Sequence, residues 1–232
     1  MTETAPSPKV DRLLAIVDPA HTVVVTMELQ KGIVGDEAIL PALPIAVREA
    51  GLLDVASRVC AAGRAKGVPI LHATMRERPD GLGQAINCKI FAIGARRRTE
   101  TGHGPTDADQ PGVALVDELN VQPTDFEVPR STGMTPFTST ELNQIIRNLG
   151  GKTIVLMGVS LNLGIIGSAL SAIDLGYQVV VVRDAVVGLP REYAEAVLQN
   201  SIAMIATIVT SEELLAAWSV SSAVSSAVSS AK

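Results

Sequence analysis

Leu156-Met-Gly-Val-Ser-Leu-Asn-Leu-Gly-Ile-Ile166 carries an apolar run straight into a glycine-flanked turn, and the turn straight into a second apolar segment. The run reads as a buried strand, and the segment after the turn reads as a helix whose first N–H groups lack intrahelical partners. Amides at a helix N-terminus hold negative charge, so this turn is a first candidate for stabilising a developing anion. Gly164 occupies the position from which a nucleophile would project, and glycine has no side chain.

On either side of this turn the same rhythm repeats. Thr22-Val-Val-Val-Thr-Met27 is a β-branched run without alternation, as expected of a strand covered on both faces of a parallel sheet. A helical pattern from Pro44 to Lys66 comes next, with Gly67 as its stop, and Val68 to Thr74 reads as a second strand. In the second half, Thr138-Ser-Thr-Glu141 reads as a capping box ahead of Leu142, Ile145, Ile146 and Leu149 on one helical face. Strands are expected at Thr153–Met157, Tyr177–Val182 and Thr207–Val209. Helices are expected from Leu163 to Leu175, from Pro190 to Ala206 and from Ser211 onward.

Repeated βα units with short connections predict an α/β fold, a doubly wound parallel sheet with helices on both faces. A single domain is expected over residues 1–218, with a low-complexity Ser/Ala/Val tail over 219–232 that reads as mobile. Residues 76–124 mix charge, Gly and Pro around one helical signal at Val113–Leu119. They read as a long excursion over one face, of the kind that forms lids or subunit contacts.

Composition narrows the function classes. In 232 residues with 47% hydrophobic content there is ample material for a core. A net charge of −5 argues against a nucleic-acid surface, which needs clustered Lys and Arg, and Arg96-Arg97-Arg98 reads as a solvated run. Cys60 and Cys88 form no metal-like pattern and fit a reduced, cytoplasmic protein. The N-terminus lacks the apolar core of a signal peptide, and no apolar run reaches the roughly 20 residues of a membrane span.

Ligands of open α/β sheets collect outside the carboxyl ends of the strands, and three places stand out there. Glu28 ends the first strand and reads either as a partly desolvated catalytic carboxyl or as a salt-bridged loop residue. Arg130, after Phe126-Glu-Val-Pro129, is placed to pair with Glu28 or to clamp a substrate carboxylate. Ser160 and Asn162 can donate hydrogen bonds in the glycine-flanked turn, although an Asn there equally serves as a cap.

Taken in order, these segments resemble the isochorismatase-like hydrolase superfamily. Val24-Val-Thr-Met-Glu-Leu-Gln30 is similar to that family's first strand ending in Asp-x-Gln, and Thr135-Pro-Phe-Thr-Ser-Thr-Glu-Leu142 to its Ser-Ala-Phe-x-x-Thr-x-Leu segment. Gly158-Val-Ser-Leu-Asn-Leu-Gly164 resembles its Gly-Val-x-x-Asn-x-Cys turn. Asp174-Leu-Gly-Tyr-Gln-Val-Val180 and Asp184-Ala185 resemble the segments downstream of that turn in the family.

The resemblance implies a site at Glu28, Gln30, Met75, Arg130, Phe137, Ser160, Asn162 and Gly164. All three positions of the family's Asp, Lys and Cys triad differ: Glu28 is one methylene longer, the Lys position falls at Arg130 or Ser131, and the Cys position is Gly164. A branch that cleaves vinyl ethers carries glycine at the last of these and uses the strand-end carboxylate as proton donor, with a Gln where Met75 stands here. The expectation is therefore a hydrolase of a small molecule without a cysteine nucleophile, with Glu28 as general acid or base. Arg130 and the turn amides would stabilise charge. A catalytically inactive binding or scaffold protein is the alternative, and a thiolate supplied by Cys88 beside Lys89 is a third reading.

No cofactor and no metal are implied, because the Asp-x-His type of ligand set has no counterpart around Ala73–Arg76 and His21, His72 and His103 are scattered. The resemblance implies a homo-oligomer, a dimer or tetramer, and no membrane or nucleic-acid partner.

Overall fold

A computed structural model describes residues 8–219, so the Ser/Ala/Val tail beyond Ser219 lies outside the described residues. Six strands, β1 (Thr22–Met27), β2 (Ile70–Met75), β3 (Phe126–Arg130), β4 (Thr153–Val159), β5 (Gln178–Val187) and β6 (Thr207–Val209), form one sheet in the order β3-β2-β1-β4-β5-β6. Every pairing is parallel. Helices cover both faces, giving the three-layer α/β sandwich that the βα rhythm predicts.

Alternation along the strands divides the core into two. Val24 of β1 with Val155, Met157 and Val159 of β4 face the helices Ala42–Ala50, Leu52–Ala65 and 211–219. Val23, Val25 and Met27 with Ile154 and Leu156 face Leu142–Asn148, Ile166–Asp174 and Arg191–Val197. Trp218 seals one end of the first layer, its Nε1 donating to the Val17 carbonyl at 2.9 Å. Among the described residues no helix is long and apolar enough to cross a membrane.

Several boundaries differ from expectation, each for a local reason. The helical pattern of Pro44–Lys66 is two helices, Ala42–Ala50 and Leu52–Ala65, separated by Gly51 in the left-handed region at φ 63°. The capping box does not form; Pro136–Ser139 is a helical turn of its own, and the Thr140 hydroxyl accepts from the Leu142 amide instead. Phe126–Arg130 is a strand at the sheet edge, where Pro129 is tolerated. The excursion contains a helix at Lys89–Thr101, while Val113–Leu119 resolves into two short 3-10 turns. The helix expected over Pro190–Ala206 is interrupted by a π-helical turn at Leu198–Ile202.

Beneath the excursion a buried polar cluster fixes β2 to the segment before β3. His72 is fully buried; its Nδ1 lies 2.7 Å from the Thr26 hydroxyl and its Nε2 3.4 Å from Asp125, which also accepts from Arg64. A neutral imidazole with its proton on Nε2 satisfies both neighbours. Burial pushes the His72 pKa below 6.5, outweighing the pull of Asp125. Burial works to raise Asp125, but the hydrogen bonds from Arg64 and the Gln122 amide hold it below 3.8.

Both shifts lower the native pKa, so the unfolded chain binds more protons in acid and stability falls as pH drops from 6.5 through 3.8 and below. The part lost nearest neutrality belongs to His72. Melting temperature plotted against pH is expected to decline less steeply below pH 6.5 in a His72→Gln variant than in the parent chain. Equal slopes in the two proteins would contradict this.

Candidate active site

The strand order reverses direction between β1 and β4, and in open sheets that switch point opens a crevice at the carboxyl ends. Met27 and Gly158 face each other there in register. A Cβ on Gly158, whose φ is 118°, would lie 2.2 Å from the Met27 carbonyl oxygen, so only glycine lets the two strands run together at this point. Glu28, the next residue along β1's direction, has a φ of 56°, an uncommon conformation for a side-chain-bearing residue, while its amide still donates to the Ala73 carbonyl at 2.9 Å. The backbone thus leaves the ladder at the carboxylate, a form of local strain that clusters at functional sites.

Arg130, the last residue of β3, reaches this carboxylate across the end of β2. Its Nη2 donates to Glu28 Oε1 and its Nε to the Gly133 carbonyl at 3.0 Å. The Arg130 side chain is 2% exposed and that of Glu28 17%. Nη1 is buried with no partner among the described residues. A buried guanidinium nitrogen without an acceptor is costly to leave so, and an incoming oxygen completes it only once the wall over Nη1 opens.

The turn after β4 is π-helical over Leu161–Ile165 and feeds the helix Ile166–Asp174. The amides of Leu163 and Ile165 both donate to the Ser160 carbonyl at 3.1 Å, so these two donors are consumed within the turn. At Gly164 an added Cβ would sit 3.0 Å from Met27 Cε, so a side chain there requires the flexible end of Met27 to give way slightly.

Glu28, Arg130, Ser160 and Gly164 line one cavity of about 170 Å³, together with Met75 and Met134. Its apolar walls come from Ile39, Leu40 and Leu43 on one side and from Ile90 and Phe91 of the helix Lys89–Thr101 on another. A second polar group, Glu77 with Thr106 and Arg98, stands in the wall formed by the excursion. The Thr106 hydroxyl donates to Glu77 Oε2 at 3.1 Å, and Arg98 forks onto the buried Asp107. Burial pushes the Glu77 carboxyl above its ordinary range, against the opposing pull of Thr106 and Arg98.

Three of the expected site residues do not line the cavity. Gln30 is fully buried, its Nε2 donating to the Met75 and Val113 carbonyls at 2.8 and 2.7 Å and its Oε1 accepting from the Met75 amide. It clamps β1, β2 and the excursion together. Asn162 donates to the Leu189 carbonyl at 3.0 Å and accepts from the Leu189 amide, tying the turn to the end of β5. Phe137 packs against Tyr177 with ring centroids 6.5 Å apart. Conversely, Glu77 and the helix over the cavity have no counterpart among the expected site residues, and Arg98, expected to be solvated with Arg96 and Arg97, is instead mostly buried on Asp107. The spacing of Ile90, Phe91, Gly94, Ala95 and Arg98 on one helical face is the signal for that helix, hidden by its charged surroundings. Among the described residues no three His, Cys, Asp or Glu side chains gather as a metal site.

Comparison with known proteins meets this geometry. The family described as the isochorismatase domain matches residues 22–213, which take in all six strands up to the start of the last described helix. The chain belongs to the isochorismatase family. An uncharacterised isochorismatase family protein of Bacillus subtilis, YwoC, is 34% identical over 114 residues, 49% of this chain and 59% of that relative. The chain thus aligns with less than two thirds of that curated relative. The solved structure of an isochorismatase family protein from Burkholderia thailandensis is 27% identical with a TM-score of 0.70, covering 86% of this chain and 96% of the other. The N-carbamoylsarcosine amidase of Thermoplasma acidophilum shares the fold at 21% identity and a TM-score of 0.62, over 82% and 96% of the two chains. The fold and the family are thereby established.

Proposed function

We propose that this isochorismatase-family chain hydrolyses a small molecule with water, not a cysteine, as the attacking group. The observation that carries this reading is the partnerless Nη1 of Arg130 beside the Glu28 carboxylate in a cavity at the switch point. Nη1 takes a carbonyl oxygen of the substrate, or an anionic oxygen it carries, and stabilises negative charge there. Glu28 gives one proton to the substrate and recovers one from water, in the order the substrate demands. A vinyl ether is protonated on carbon before water adds; an ester or amide takes hydroxide first, and the leaving group is protonated as its bond breaks. Either way one water is added across one bond and Glu28 returns to the protonation state it started in. Among the described residues no cysteine lines the cavity, and Cys60, fully buried, is pushed up to about 12 by desolvation.

The test is turnover of a panel of esters, amides and vinyl ethers, with product mass read after reaction in isotopically heavy water. Activity is expected, and a Cys88→Ser variant is expected to retain it fully, since Cys88 sits at the start of the helix over the cavity and outside its lining. A folded Cys88→Ser protein without activity would assign the chemistry to a thiol instead.

A second reading, a binding protein without turnover, draws support from Met27 Cε, which crowds the position beside Gly164. It predicts compounds that raise the melting temperature and are never consumed. Assembly as a dimer or tetramer is supported by the exposure of Leu82, Ile86 and Met204, and a cytoplasmic setting by two unpaired cysteines.

A further inference from the structure

We propose that Glu77 determines specificity, recognising a hydrogen-bond-donating and preferably cationic group on a substrate whose reacting oxygen lies at Arg130; this rests on the cavity being the substrate site. The charges along the cavity walls do not balance. Glu28 and Arg130 neutralise each other. On the excursion wall, two carboxylates share one cation: Arg98 places both Nη atoms on Asp107, which is fully buried, and a further bond from Nη1 on the Pro79 carbonyl at 3.0 Å. From Arg98 only a longer contact of 3.5 Å remains for Glu77, whose carboxyl otherwise takes hydrogen bonds from the neutral Thr106 and Gln84 side chains. The wall therefore carries a surplus carboxylate, and that carboxylate faces the cavity while Asp107 does not.

The position is rigid. The Glu77 amide donates to the Thr106 carbonyl at 3.0 Å and its own carbonyl accepts from the Ala108 amide at 2.9 Å, forming a parallel bridge with Asp107. Oε2 is held by the Thr106 hydroxyl. A preformed acceptor in a partly desolvated wall favours donors strongly, because a buried carboxyl group regains in the complex what burial removed. The same cavity is lined by the apolar side chains of Ile39, Leu40, Ile90 and Phe91. The ligand class that fits is a compact carbonyl compound with an apolar middle, neutral or positive in charge, with a hydroxyl, amide or ammonium at its far end. A second carboxylate at that end would meet a like charge.

Three matched probes test this by calorimetry on the full chain: benzamide, 4-(aminomethyl)benzamide and 4-carboxybenzamide. The unmodified protein is expected to bind the aminomethyl compound tightest and the carboxy compound weakest. Glu77→Gln, which retains the Thr106 contact, is expected to weaken the aminomethyl probe by about tenfold or more while leaving benzamide unchanged. Glu77→Lys is expected to reverse the order of the two substituted probes. Equal ranking in the parent chain and Glu77→Gln, or an aminomethyl probe that binds no better than the carboxy probe, overturns the proposal. Arg130→Met separates the failure of Glu77 as selector from the failure of the site. If it weakens all three probes while Glu77→Gln changes none, the cavity is the site and Glu77 is not its selector; if it affects none, the cavity itself is not the site.

Discussion

Replacing Glu28 by glutamine is expected to lower turnover by about 100-fold to 10,000-fold, the range typical of losing one positioned acid or base. The substitution isolates proton transfer. Glutamine has the same length, retains an oxygen to accept from Arg130 Nη2, and meets the same backbone at φ 56°, which bears equally on both residues. The Glu28 side chain is partly open to the cavity, so the neutral amide imposes little packing change. Circular dichroism and melting temperature should therefore stay close to the parent while the rate falls. A folded Glu28→Gln protein with full activity on any confirmed substrate sinks the proposed mechanism.

Arg130→Met is expected to damage both stability and rate. Removing one partner of a fully buried ion pair destabilises by about 3–5 kcal/mol; here Glu28 reaches the cavity and can be hydrated, so a loss of about 2–3 kcal/mol is expected in urea unfolding. The loss of the Nη1 donor adds a rate decrease of about 100-fold to 1,000-fold, the scale of removing one charge-stabilising donor. The paired variant Glu28→Gln/Arg130→Met discriminates between causes. It removes the stranded carboxylate, so it should be more stable than Arg130→Met alone, and additivity of the two single effects would show that the ion pair is not coupled.

The central strands are legible in the sequence because unbroken Val, Ile and Leu runs have few other solutions in a chain of this size. β3 is not, since an edge strand with Pro129 and alternating exposed residues carries none of that signal. The helix Lys89–Thr101 is hidden for a related reason: it buries none of its residues and turns its apolar face to a cavity, leaving arginines to dominate its composition. Glu28 and Arg130 both stand out as strand-end charges in the sequence, but they lie 102 positions apart and only the parallel register of β1, β2 and β3 joins them.

Motif positions are uneven guides to contact. Gln30 and Asn162 belong to the recurring segments, yet their amides are consumed in holding backbone, which makes them supports of the cavity and not part of its surface. Glu77 has no periodicity or motif to mark it. What singles it out is a surplus of carboxylate over cation, and that emerges only once the fold has brought Arg98 to Asp107.

The two halves of the ion pair are mounted on unequal foundations. Glu28 extends from β1, which is flanked by β2 and β4 in the middle of the sheet, whereas Arg130 ends β3, a rim strand held along one side alone. Rim segments with exposed residues open at lower free energy than the centre of a sheet. The site is thus a vice with one fixed jaw and one compliant jaw: β3 can yield to a bulkier molecule, or fray, and carry the cation away while the carboxylate and the turn opposite it stay where they are.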